Sequence, residues 1–164
     1  MPARPSPPSL PFELKRYEAH QSEIALHMSH FLLDYLREIY KAFDGDLALV
    51  IVLGEIAHHN MAVHFTRKDG LPAATVRKLE SDAATQDRMP SCNAYSLAQA
   101  TGLPRETIRR KMARLKELGW IEQIGRREVR ITPKVGQHFL PDFNVRLLAN
   151  LLNTADRVRG LLAS

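Results

Sequence analysis

The sequence predicts a mainly α-helical protein with one short β-hairpin. Apolar residues recur at spacings of three and four over 12–43, 46–65 and 143–162, the period of helices that bury one stripe. Two short β-type segments, "WIEQI" and "EVRIT", lie either side of "GRR", the kind of linker that closes a tight hairpin. Turn formers, Asp44-Gly45, Gly102 and Gly119, separate the helical stretches.

The lead-in, residues 1–11, is "MPARPSPPSLP"; its prolines and serines predict disorder, and it has no apolar signal-peptide core. Residues 12–65 form an N-terminal helical region. In its first helix Ile24, Met28, Phe31, Tyr35 and Ile39 share one face, widened by Leu32, Leu36 and Phe43. Asp46 then caps a second helix, apolar nearly all round in its first half and therefore the expected centre of the fold. Residues 66–91 lose the pattern and read as a surface insertion or loop. Order returns over 92–134. Ser96 to Gln99, "SLAQ", fits a capping box at the start of a short helix that ends at Gly102. Pro104 opens a longer helix with Ile108, Met112 and Leu115 facing inward, and Gly119 stops it. Trp120 is expected to lock the hairpin under that helix, and Pro133 ends the second strand. Residues 141–163 give a last helix. Its face of Leu147, Leu148, Leu151, Leu152, Val158, Leu161 and Leu162 is broad enough to meet a second subunit as well as its own core.

Charge is concentrated rather than spread. The chain of 164 residues carries a formal net charge of +5, with a sequence pI of about 9.6. Residues 104–134 alone hold ten Lys or Arg against four Glu, a net +6, so essentially all the excess lies in one short segment. That distribution suits a surface facing phosphate. One cysteine, Cys92, excludes an internal disulfide framework and fits a reducing compartment. The longest apolar run, Leu47 to Leu53, is too short to span a bilayer. The expectation is a cytoplasmic protein with no membrane segment.

The spacing within 92–134 is more specific. Ala98 is small, Gly102 follows four residues later in a turn, and Ile108 follows six after that as an aliphatic anchor. Two helices crossing at a steep angle need those residue types at those offsets. Short helix, glycine turn, basic helix and basic hairpin is the order of a winged helix-turn-helix. "GLPRETIRR…LKELGWI" resembles the DNA-binding domain of the cyclic-AMP receptor protein family of bacterial transcription regulators. The family's Arg-Glu-Thr-aliphatic-x-Arg motif appears here as Arg105, Glu106, Thr107, Ile108, Arg109 and Arg110. The resemblance covers about a quarter of the chain. Nothing upstream matches the family's β-rich nucleotide domain, Pro104 replaces a small hydroxyl residue, and Lys111 stands where an apolar residue is common. The layout, helices before and after a central winged helix, resembles the multiple-antibiotic-resistance regulator family, in which the terminal helices build a dimer.

The resemblance implies that Arg105, Glu106 and Arg110 read bases. Their chemistry agrees: Arg can bond guanine O6 and N7 together, and Glu can accept from a cytosine amino group. Ser96, Thr107, Arg109, Lys111 and Arg114 are expected on the DNA backbone, with Arg126 and Arg127 at the hairpin tip on the flanking backbone or minor groove. The expected partners are duplex DNA and a second copy of the chain. The alternative is a protein- or RNA-interaction module without specific DNA readout. No cofactor is implied. A small-molecule effector would fit between the first two helices and the hairpin, but no residue there announces one.

His20, Glu23, His27, His30 and Asp34 follow a three-four spacing, and His27 and His30 have the separation of shared metal ligands. The stripe reads more simply as a wet face. His58, His59 and His64 are not spaced for joint ligation. Cys92 is read as inert rather than as a redox bridge between subunits. There is no phosphate-cradling glycine loop with Lys, no His-Glu-x-x-His, no Gly-x-Ser-x-Gly and no paired-cysteine zinc site. The expectation is not an enzyme.

Overall fold

The computed structural model describes residues 10–65 and 90–163. Almost all of the lead-in and of the 66–91 segment lies outside them. The described chain is mainly helical, with one small antiparallel sheet. In order it forms α1 (Leu14–Ala42), α2 (Leu47–Phe65), β1 (Cys92–Asn93), α3 (Ala94–Thr101), α4 (Arg105–Glu117), β2 (Ile121–Ile124), β3 (Glu128–Ile131), α5 (Pro133–Phe139) and α6 (Phe143–Ala163). It divides into two compact units, one of residues up to Glu38 together with those from Phe143 onward, the other of Ile39–Asp142.

In the first unit the body of α1 and α6 run antiparallel. Arg16, near the start of α1, donates from Nη1 to the Leu162 carbonyl at 3.3 Å and to the Ala163 carbonyl. These are among the carbonyls that the end of a helix leaves without partners, and a cation there also opposes the helix dipole. Near the other end Arg146 pairs with Glu38 at 3.2 Å. Ile24 is buried, and Phe31 stacks on Tyr35 at 6.3 Å between centroids. The apolar face expected on α1 is only partly covered: Met28, Leu32 and Leu36 are each about half exposed, as is Leu33, and Leu26 is 66% exposed. On α6, Val145, Leu148, Leu151 and Leu152 are exposed as well. The stripe expected to be the wet face is open to solvent, with His30 74% and Glu23 57% exposed, although His27 at 25% and His20 are partly covered. It holds two pairs, His27 with Glu23 at 4.0 Å and His30 with Asp34 at 3.3 Å. Among the described residues no group of three His, Cys, Asp or Glu is placed to hold a metal.

The second unit begins with the end of α1. Asp44 and Gly45 both have positive φ, and the Gly45 amide donates back to the Tyr40 carbonyl at 2.8 Å. The positive φ favours glycine at position 45, and a Cβ there would also push aside the exposed Tyr40 ring, 2.8 Å away. Asp46 caps α2 as expected, its Oδ1 accepting from Leu49 N at 3.0 Å. The core is built on α2, as its apolar composition predicts. Val52 and Ile56 are fully buried together with Leu97 of α3, Ile108 and Leu115 of α4, and Val129 of β3. Asn60 lies among these side chains with no exposure. Its amide nitrogen donates to the Pro90 carbonyl at 2.5 Å, and its oxygen accepts from Ile131 N at 2.8 Å, tying α2 to the sheet.

The sheet order is β1-β3-β2, with all pairs antiparallel. β2 and β3 are the predicted hairpin, closed by Gly125–Arg127, with Ile121 opposite Ile131 and Ile124 opposite Glu128. Glu122 and Arg130 pair across it at 2.6 Å. β1 has only two residues, too few for a period-two pattern, and was not predicted. α5 was also missed. Pro133, expected only to end β3, is the first residue of this helix, where its absent N–H costs nothing. Trp120 donates its amide to the Leu115 carbonyl of α4 at 2.9 Å. Its ring meets Phe43 and Phe139 edge-on at 5.5 and 5.4 Å, while Phe43 and Phe139 stack on each other, so it also fastens the hairpin to α5 and the end of α1.

Candidate nucleic-acid interface

The cap of α3 is three residues earlier than the sequence predicts. Asn93, not Ser96, is the N-cap: its Oδ1 accepts from Tyr95 N at 2.9 Å and from Ser96 N at 3.1 Å. The Ser96 hydroxyl completes the box by accepting from Asn93 N at 3.2 Å. Both residues are good caps, and the one whose backbone is extended wins. α3 ends at Gly102, φ 70°, whose amide donates to the Ala98 carbonyl. The Thr101 hydroxyl donates to the Leu97 carbonyl at 2.7 Å and accepts from Leu103 N at 3.2 Å, so the turn into α4 is fastened from both sides. Leu97 and Ile108 are buried at the base of this turn, which sets α4 with its cationic face outward.

That face, the start of α3 and the tip of the β2–β3 hairpin enclose an open cleft of about 570 Å³. Arg105, Arg109 and Lys116 of α4 line one side, Arg126 and Arg127 of the hairpin line another, and Asn93 and Tyr95 line the end. Met112 and Ala113 form part of the wall. Five cations therefore converge on one concavity, and Gln123 braces it. Its Oε1 accepts from Lys116 Nζ at 2.6 Å, and its amide nitrogen donates to the carbonyls of Gly125 and Arg126 at 3.1 Å each.

The residues expected to act on DNA are thus divided. Arg105, Arg109, Arg126 and Arg127 come together in the cleft. Glu106 is exposed on the same helix, 3.7 Å from Arg109. Arg110 and Arg114 are exposed but do not line the cleft, and Arg114 pairs with Glu117 at 3.0 Å. Thr107 is half-buried. Ser96 is occupied by its cap.

Lys111 faces the other way. Its side chain is only 14% exposed, and Nζ donates to Asp46 Oδ2 at 2.5 Å. It stands three residues after Ile108 and four before Leu115, on the inward face, so it joins α4 to the start of α2 and is not available to a phosphate. Burial of the Asp46 carboxyl pushes its pKa up. The hydrogen bonds from Lys111 and Leu49, with the charges of Lys111 and Arg110, more than offset this and hold it below the ordinary carboxylate value. A depressed folded-state pKa stabilises the fold above the unfolded value, and that contribution is lost as pH falls through the folded one. Asp46→Asn is therefore expected to be less stable than wild type at neutral pH, with the difference shrinking below about pH 4. Urea unfolding followed across that range checks this.

Cys92 is 3% exposed beneath the hairpin, its Sγ 3.8 Å from the Val129 carbonyl. Burial, together with the negative charges of Glu55 and Glu128, pushes its pKa up to about 11. A thiol so placed holds almost no thiolate at neutral pH, which fits the inert reading.

Tyr95 and Gln123, which line the cleft, were not singled out from the sequence. Tyr95 is 58% exposed, and the Arg105 guanidinium lies over its ring, 5.5 Å from the centroid. The signal available for it was an aromatic two residues after a good cap, visible only once Asn93 is recognised as that cap.

Among the described residues no helix is long and apolar enough to cross a membrane. No protein-family model matches the sequence, and neither a curated protein nor a solved structure matches it.

Proposed function

We propose that residues 92–134 act as a winged helix-turn-helix that binds duplex DNA sequence-specifically, and that the chain regulates transcription as a homodimer. The observation that carries this reading is the convergence of Arg105, Arg109, Lys116, Arg126 and Arg127 on one cleft beside an exposed helix face. A solvated surface spreads its cations to reduce their repulsion; a concavity lined by five of them gains most from a polyanion. In this reading α4 enters the major groove, where Arg105, Glu106 and Arg110 read base edges. Arg109 and Arg114 meet phosphates, and the hairpin is the wing that holds the flanking backbone or minor groove. Lys111 is left out of the contact set because it serves Asp46. The exposed apolar residues of α1 and α6 support the dimer, which would favour a pseudo-palindromic site with half-sites about one helical turn apart.

The test uses a duplex recovered by selection and a panel of its single-base variants. Arg105→Ala and Arg110→Ala are each expected to cost about 1–3 kcal/mol on the preferred site and to relax discrimination at one base pair per half-site. Equal losses on every duplex in the panel would remove both residues from base reading.

A further inference from the structure

Arg105 is distinguished among the cations of α4 by what lies against it. Among the described residues no carboxylate forms an ion pair with Arg105, Arg110 or Lys116, whereas Arg109 has Glu106, Lys111 has Asp46 and Arg114 has Glu117. What lies against Arg105 is the ring of Tyr95. A guanidinium over an aromatic face is held by the ring quadrupole, and its in-plane N–H donors stay free to bond elsewhere. A carboxylate would occupy those donors; a ring does not.

The ring is itself held. Tyr95 is the second residue of α3, and its amide donates to Asn93 Oδ1 at 2.9 Å, so the N-cap pins the backbone that carries it. Arg105 is the first residue of α4, just past the turn fastened by Thr101. The two side chains thus come from the N-terminal ends of two helices joined by a fastened turn. More than half of Tyr95 remains exposed, so its ring is not explained by core packing.

Resting on the DNA reading above, we infer that Tyr95 is a positioning residue: its ring is the platform that presents the Arg105 guanidinium, edge outward, for a two-pronged contact to one base. A long arginine otherwise samples many rotamers and loses that freedom on docking, so fixing it beforehand sharpens discrimination at the base it reads. The hydroxyl of Tyr95 has no part in this; the face of the ring does.

The experiment compares the full-length wild type with Tyr95→Phe, Tyr95→Leu and Arg105→Ala, and with Tyr95→Leu in the Arg105→Ala background. Each is titrated against the selected duplex and all its single-base variants, with thermal unfolding as the check on folding. Tyr95→Phe is expected to match wild type. Tyr95→Leu is expected to unfold at the wild-type temperature. Its discrimination should fall about three- to tenfold at the base pair where Arg105→Ala loses it, and little elsewhere. In the Arg105→Ala background, Tyr95→Leu should have no further effect. A Tyr95→Leu protein with wild-type discrimination overturns the platform while leaving the DNA reading in place. So does an equal loss in the Arg105→Ala background. Equal losses in Tyr95→Phe and Tyr95→Leu, spread over all duplexes, would make the hydroxyl a backbone contact and overturn it too. A wild-type protein that selects no duplex overturns the DNA reading and the platform with it.

Discussion

Asn60→Leu is expected to destabilise the fold by about 3 kcal/mol, although leucine is apolar and has the same branched shape. The residue sits with no exposure in the core of α2, and it is the partner of two backbone groups from other segments. Its oxygen takes the Ile131 N–H on β3, and its nitrogen serves the Pro90 carbonyl at the entry to β1. Leucine would remove both bonds and leave a part-buried donor on Ile131 and a part-buried acceptor on Pro90 without partners. A lost pair in water costs little, but an orphaned buried group costs about 1–3 kcal/mol, and here there are two. Chemical unfolding measures the loss. A change below about 1 kcal/mol would mean that water reaches both groups and that Asn60 is not the tie between α2 and the sheet.

Arg126→Ala with Arg127→Ala carries the largest expected effect on the salt dependence of binding. Both residues are exposed at the hairpin tip and line the cleft, and in the proposed docking they meet the flanking backbone. Each phosphate contact adds about 0.9 to the slope of log affinity against log salt. Losing two contacts should lower that slope by about 1.8, and affinity by about thirtyfold at 0.15 M salt, with every duplex affected alike. The ranking of single-base variants should stay as in wild type. An unchanged slope would place the hairpin off the DNA; a changed ranking would make it a base reader.

Much of the fold was legible because it depends on local chemistry. Asp46 at the start of an apolar run, Gly102 between two short helices and "GRR" between two β-type segments each fix a backbone conformation within a few residues. What was missed depends on comparison between equally good local choices. Asn93 and Ser96 both cap well, and only the extended backbone supplied by pairing with β3 decides between them. Pro133 ends a strand and opens a helix equally well, and the stacking of Phe139 on Phe43 decides that the helix forms. The cations of α4 were visible as a cluster, but their directions were less so. Lys111 betrays itself by standing between Ile108 and Leu115 on the inward face, yet its partner Asp46 lies in another helix. The cleft itself joins segments separated by up to about thirty residues, and no local pattern reports that Arg126 and Arg127 face Arg105 and Arg109.

Selection of random duplex fragments on the purified full-length protein, followed by affinity titration against salt, tests the central claim most directly. The account predicts recovery of one motif with two-fold symmetry and a steep fall of affinity with salt. Recovery of no motif, with no binding to any duplex even at low salt, would contradict it.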